Sequence, residues 1–459
     1  MDAVRRGDLV ETARLCWAYL QGRQRGQQPD EAGAGDKRDS ATYYLGEALE
    51  RLGYVHAAID RYAEIVTERR APQLVPRALA ALERLSRANR HNEEAIAHAG
   101  VLSAAEFEEL PPLLSSFIHY RQVIDDLRQG HDAWAMRHLE RIGPDTPYFP
   151  RALYARAVWR LGRNETEAAL KDFSAVIDHP QTSPELRARA LQQRARMHYN
   201  RGLWQQAYAD LDKVDLHHVS GSEVLLEKAW AMYHARNFRA ALGLLHALGA
   251  PSYADRFMPE RYLLRSLIFG KYCHFRAAKR SIEMFRQKFA NEINALRNGS
   301  RPEEVTVLRR AAFERTASTG PGLLEALLVQ LAIEKGRVGS ERSWGSPAQA
   351  GSLNHHLARY YDFKMRGLRF QQAQLLRTAS EQVASELLHA NEQMNLLEYE
   401  VGLGIYRRIS REARMAATGS ERRRNIPRIS DEIYFHFDGE YWTDELPDMQ
   451  FFIEDRCVD

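Results

Sequence analysis

The residues of this chain that could do chemistry are few and scattered. Its three cysteines, Cys16, Cys273 and Cys457, are too few for a disulfide framework and lack the paired spacing of a zinc site. Cys457 could be a reactive thiol or a lipid target, but it does not fit a prenylation box, and a bystander is the expectation. Two His-His pairs, at 217–218 and 355–356, would diverge by about 100° on a helix and could not face one ligand, so surface or capping roles are expected. Glu440, Asp444 and Glu445 could serve as an acid/base set, yet nothing pairs with them, and a solvated or Arg-paired acidic face is expected instead. The chain has no GxSxG elbow, no phosphate-cradling GxxxxGK, no HExxH and no CxxC pair. The expectation is a non-catalytic protein that needs no metal and no cofactor.

Composition sets the scale of the elements. The 459 residues are 44% hydrophobic and 27% charged, enough for two to four domains or one long repeat array. Net charge is only +3, so no global field points to nucleic acid. Of the 64 basic residues 55 are Arg, a skew attributed to genome composition. No window approaches the roughly 18 apolar residues of a membrane span, and Met1-Asp2-Ala3-Val4-Arg5-Arg6 lacks an apolar signal core. Direct membrane insertion is not expected.

Internal repetition dominates the first two thirds. Gly46 and Gly53 are followed by Ala58, Tyr62 and Ile65 at steps of seven, five, four and three. The same frame returns at Ala195, Gly202, Ala207, Leu211 and Val214. It returns at Ala229, Ala241, Leu245 and Leu248 with Arg236 in the turn, and at Ser266, Ala278, Ile282 and Phe285 with Cys273 in the turn. Gly130, Ala135, Leu139 and Ile142 give another copy, as do Gly162, Ala169, Phe173 and Val176 with two extra turn residues. A weak copy lies near Arg90 and Ala95, and Gly7 to Trp17 reads as the end of a frayed one. Turn positions 53, 90, 130, 162, 202, 236 and 273 are 37, 40, 32, 40, 34 and 37 apart. Small residues where two helices touch, and large apolar ones behind, predict helix–turn–helix pairs that share a core by stacking. Prolines 144, 180, 184, 251 and 259 fall between the pairs, where helices must stop. The Gly-rich, polar stretch at 21–39 reads as a mobile loop.

This pattern resembles the tetratricopeptide repeat (TPR). The resemblance implies an all-α, right-handed TPR-type solenoid of about seven repeats over 41–290, preceded by a frayed helix and loop over 1–40. In that family the first helix of each pair lines a concave groove. Projected on this frame, the inward side chains are Arg156 and Trp159, then Arg189, Gln192, Arg196 and Tyr199, then Trp230 and Tyr233. Arg, Trp and Tyr combine large contact area with directed polar groups, which suits recognition of acidic or aromatic peptide segments. The alternative is that the tryptophans pack between helices and the arginines form a solvated face. The Lys/Asn clamp of the chaperone-binding relatives is not matched.

Beyond 290 the frame is lost. Residues 291–429 read as long helices, with a Gly/Ser-rich loop near 337–353 and a pair of long helices over 354–417 that either extends the solenoid or folds back on itself. Residues 401–429 hold eight Arg against two Glu, whereas 430–459 hold ten acidic residues against Arg456 alone. In that acidic block 433–437 is strand-like, Asp438-Gly439 is a hairpin turn, and 440–443 is a return strand. Such a segment suits either the Arg-rich helix or the groove, of this copy or another. The string Asp438-Gly439-Glu440-Tyr441-Trp442, with Asp444-Glu445-Leu446 and Cys457, is similar to the ends of large envelope and gliding-motility TPR proteins of myxobacteria. That resemblance implies a periplasmic scaffold, provided that the start at Met1 is misplaced, as the abrupt opening helix at 9–21 would allow. If the start is right, a cytoplasmic adaptor or regulator that reads a peptide is implied.

Overall fold

The turn positions of the repeat frame are where the backbone reverses. In the computed structural model, which describes residues 2–24, 34–99, 110–317, 319–417 and 449–457, the left-handed conformation occurs at Gly53 (φ 86°), Gly130 (78°), Gly202 (76°), Arg236 (61°) and Cys273 (55°). In the copy with two extra turn residues it falls on Asn164 (63°). At each, the following residue donates its N–H to the carbonyl five positions back: Tyr54 to Leu49, His131 to Asp126, Glu165 to Arg160, Leu203 to His198, Asn237 to Met232, and His274 to Phe269. This closure caps the orphan carbonyls at the end of a helix and turns the chain toward the next one. Gly7 (φ 71°) closes the same way, Asp8 donating to Ala3. The weak copy differs: Asn89 is extended (φ −153°), and the Asn92 side chain donates to the Leu85 carbonyl instead.

All elements among the described residues are helical, with no strand. They begin with α1 (Asp2–Arg6), α2 (Leu9–Gln24), α3 (Ala34–Arg51), α4 (Val55–Glu68), α5 (Val75–Ala88), α6 (Arg90–His98), α7 (Pro112–Gln129), α8 (Asp132–Glu140) and α9 (Tyr148–Gly162). Next come α10 (Thr166–Asp178), α11 (Pro184–Asn200), α12 (Trp204–Asp212), α13 (Gly221–His234), α14 (Phe238–Ala247), α15 (Pro259–Lys271) and α16 (Phe275–Arg297). The last are α17 (Thr306–Arg315), α18 (Gly320–Gly336) and α19 (Leu353–Ala417). None is long and apolar enough to cross a membrane.

The chain forms two compact units. The first comprises Met1–Glu165, His179–Gln181 and Ala312–Ala379; the second comprises Thr166–Asp178, Thr182–Ala311 and Ser380–Asp459. In the first, α3 packs with α4, α5 with α6 and α7 with α8; in the second, α11 packs with α12, α13 with α14 and α15 with α16. The small residues of the frame make these contacts: Ala58, Ala135, Ala169, Ala241 and Ala278 are fully buried. A Cβ on Gly46 would stand 3.1 Å from the Tyr62 ring, which is why α3 carries no side chain there. The large residues fill the cores behind them, with Tyr62, Phe173 and Phe285 completely enclosed. Truncating such a ring to Ala costs about 3–5 kcal/mol.

Two expectations change, and a third gains detail. Residues 353–417 form one uninterrupted helix rather than a pair, because the run contains no proline and its glycines sit within helical turns. The stretch at 21–39 is partly helical, since α2 extends to Gln24 and α3 starts at Ala34; Asp39 is buried and accepts from the Ala71 N–H and Arg70 Nε. The loop expected near 337–353 is present between α18 and α19 and is tied down: Asn354 Nδ2 donates to the carbonyls of Glu341 and Gly345, and the buried Trp344 donates to the Val10 carbonyl at 3.0 Å. The strand and hairpin expected over 433–443 lie outside the described residues.

Candidate functional site

Six of the eight projected groove residues belong to the second unit, on α11 and α13; Arg156 and Trp159 sit on α9 of the first. Ser183 caps α11 by accepting from the Leu186 N–H, with Pro184 as its first residue, and this sets the phase of the inward face. Arg196 directs Nε and Nη2 to Glu227 Oε1 on α13, at 2.9 and 2.6 Å, and Gln192 Nε2 donates to the same carboxylate at 3.2 Å. Burial raises the Glu227 pKa, and Arg196 opposes that rise. Trp230 Nε1 donates to Glu260 Oε2 on α15 at 3.0 Å. Tyr199 lies edge-on to Trp204 and to His234, with centroids 4.8 and 5.4 Å away, and His234 stacks on Trp204 at 4.5 Å. Burial, with Glu260 nearby, pushes the Tyr199 hydroxyl up to about 12. Tyr233 bridges Trp230 and Phe238 at 5.8 and 5.6 Å.

Arg196, Tyr199 and Trp230 thus line one cavity of about 380 Å³, whose other wall includes Glu386, His389 and Gln393 of α19. Gln192 and Tyr233 support it through Glu227 and Trp230. Arg189 instead pairs with Glu185 on its own helix at 2.8 Å. On α9, the Arg163 guanidinium lies 4.9 Å over the Trp159 ring, and Arg156 is half-buried. The cavity is aromatic and more acidic than the projection implied, because Glu227, Glu260 and Glu386 line it and Arg196 is the one arginine among its lining residues. Glu227 and Glu260 lie 35 and 30 residues after Gln192 and Trp230, about one repeat on, so the frame could have found them.

The described part of the acidic C-terminal block, expected on the Arg-rich 401–429 helix or in the groove, lies instead on a second surface. Residues 449–457 run extended along α14 and the α15–α16 turn. Phe451 donates its N–H to the Arg239 carbonyl at 3.1 Å, and Arg456 donates to the Tyr272 carbonyl at 3.1 Å. His274 Nε2 meets the Glu454 carbonyl at 2.6 Å, which makes that nitrogen the donor. Met449 packs on Ala247 and Ala250, Ile453 is buried, and the Arg239 guanidinium lies 5.0 Å over the Phe452 ring. Gly243 makes the close approach possible: a Cβ there would lie 1.7 Å from the Met449 carbonyl oxygen. Cys273, the left-handed turn residue, is bonded to Cys457 across 184 positions. The cysteine reading is therefore corrected. Two of the three form a disulfide, and residue spacing could not show it because only the docked segment brings them together.

Elsewhere the chemistry-bearing residues are held structurally. Glu334 of α18 is buried and accepts from the His56 N–H at 3.1 Å, from Tyr361 Oη at 2.7 Å, and pairs with His56 Nδ1 at 2.6 Å. The His pairs do diverge: His355 Nδ1 donates to the Pro347 carbonyl, while the His356 ring faces Trp17. His218 pairs with Asp215 of its own turn at 3.6 Å. Glu440, Asp444 and Glu445 lie outside the described residues. No family model matches the chain, and no curated protein matches it in sequence.

Proposed function

We propose that this protein is a non-catalytic scaffold of TPR-type helical repeats, stacked as a solenoid, that recognises extended segments of partner proteins. The observation that carries this reading is the segment 449–457 laid along α14 and the α15–α16 turn. Helix pairs of the repeat frame hold an extended, aromatic and acidic segment through backbone hydrogen bonds, apolar contacts and a glycine that admits its main chain. The cavity on α11, α13 and α15 offers a second recognition surface, with Tyr199 and Trp230 as anchors and Arg196 already committed to Glu227. A bacterial envelope assembly is favoured over a cytoplasmic adaptor by the Cys273–Cys457 disulfide, since such bonds persist in oxidising compartments.

Cross-linking of the tagged native chain in cells, followed by mass spectrometry, tests both parts. Envelope proteins linked to α11–α16 are expected. Gly243→Ala, which favours the helix by about 1 kcal/mol but blocks the segment's main chain, should free the strip and raise its links to partners. If the chain is recovered without linked proteins in both forms, the scaffold reading fails. Cytosolic partners would transfer the function to the adaptor reading.

A further inference from the structure

The first unit contains a cavity with an excess of positive charge that plays no part in the scaffold reading. It has a volume of about 510 Å³ and opens among α6, α7, α9 and the start of α18. Four arginines line it, Arg90, Arg121, Arg128 and Arg151, and the carboxylates among its lining residues are Glu93 and Glu94. Glu93 sits at the centre. It receives Arg151 Nη2 at 2.5 Å, Arg121 Nη1 at 3.3 Å and the Tyr120 hydroxyl at 3.3 Å. Glu94 holds His98 Nε2 at 3.3 Å and lies 4.0 Å from Arg128 Nη2.

The lining therefore carries two more fixed positive charges than negative ones, and part of that charge is out of water. Arg121 is only 8% exposed. Arg151 is clamped over the faces of Tyr120 and Tyr148, at 4.6 and 5.8 Å, so its fork is held rigid before any ligand arrives. A helix start adds to the same field. The 17-residue helix α18 starts here, with Thr319 and Gly320 in the lining, no acidic residue in its first turn and no side-chain cap. Its dipole therefore presents positive potential to the cavity. Burial raises the Glu93 pKa, yet Arg151, Arg121 and Arg90 bring it below its usual value, so the central carboxylate is already ionised and the positive excess stands with it counted.

Guanidinium groups out of water favour planar, paired oxygen acceptors, and pre-oriented forks lose little freedom in binding them. We infer that this cavity of α6, α7, α9 and α18 is a binding site for a multiply charged oxyanion, carried either by a free small molecule or by clustered carboxylates of a protein segment. Arg128, the most exposed of the four, stands at the mouth and makes the first contact. Arg90 and Arg121 close on the oxygens, and Arg151 holds Glu93 away from them.

Titration calorimetry on the full chain tests the site, using inorganic phosphate, citrate and hexaglutamate as probes in low-salt chloride buffer. One-site saturable binding of at least one probe is expected. It should weaken at least tenfold in Arg128→Ala and in Arg90→Ala, and stay unchanged in Arg163→Ala, whose guanidinium pairs with Asp132. Binding of phosphate or citrate identifies a free anion as the ligand, and binding of hexaglutamate alone identifies a protein segment. Absence of saturable binding by all three probes, or equal binding by the Arg90 and Arg128 variants, overturns the inference. Circular dichroism of each variant keeps a folding failure from being read as a binding loss.

Discussion

His356 near the start of α19 is pressed against Trp17, with ring centroids 4.4 Å apart. Burial, then Arg61 and Arg359, lowers its pKa to about 4. Its folded value lies below its unfolded value of about 6.5, so the neutral ring's contribution is complete above pH 6.5 and is lost as pH falls toward 4. The full loss amounts to about 3 kcal/mol. Urea unfolding at pH 7 and pH 4.5 should therefore show a larger drop in the wild type than in His356→Gln, and equal drops would refute the assignment. The sequence placed His355 and His356 on the surface or at a cap; the His355 ring donates to the Pro347 carbonyl in the preceding loop, and its own N–H donates to the Ser352 hydroxyl. His356 was misread because its cover is Trp17, more than 300 residues away, and periodicity within α19 carries no trace of it.

At the scale of the element, the repeat frame was legible because its spacing reports backbone geometry as well as burial. Gly53, Gly130 and Gly202 could be read directly as left-handed turn residues. Arg236 and Cys273 could be placed in the same register only because the alanines and large apolar residues behind them kept step. A side chain in that conformation costs about 1–2 kcal/mol. Gly202→Ala should lose about that much, whereas Arg236→Gly should gain less than about 1 kcal/mol, because the added freedom of the unfolded chain offsets part of the relief. Denaturation midpoints for the two variants check this, and a neutral Gly202→Ala would show that the turn is not under such constraint. Helix α19 was less legible. Its apolar residues change face along its 65 residues, so no single stripe marked it as one helix. Gly404 is one place where the reason is local: a Cβ there would lie 2.4 Å from the Phe275 ring.

For the molecule as a whole, the bond between Cys273 and Cys457 matters more than any single turn. It closes a loop of 184 residues, and in the chain-entropy account a loop of that length limits the unfolded chain by at most about 5 kcal/mol. The native-state consequence is local. The segment 449–457 covers Ala247, Ala250 and Phe269, and it supplies acceptors or donors to Arg239, Tyr272 and His274. Removing the covalent tie leaves these contacts to compete with the freedom of the released segment. Hydrogen exchange should accordingly rise in α14 and at the α15–α16 turn on reduction, and the same pattern should appear in Cys457→Ser without reductant. Cys16 is not the responding thiol, since burial pushes it up to about 11 and so disfavours the reactive thiolate. Unchanged protection in both the reduced protein and Cys457→Ser would mean that the noncovalent contacts hold the segment alone, and that the disulfide does not govern access to the strip.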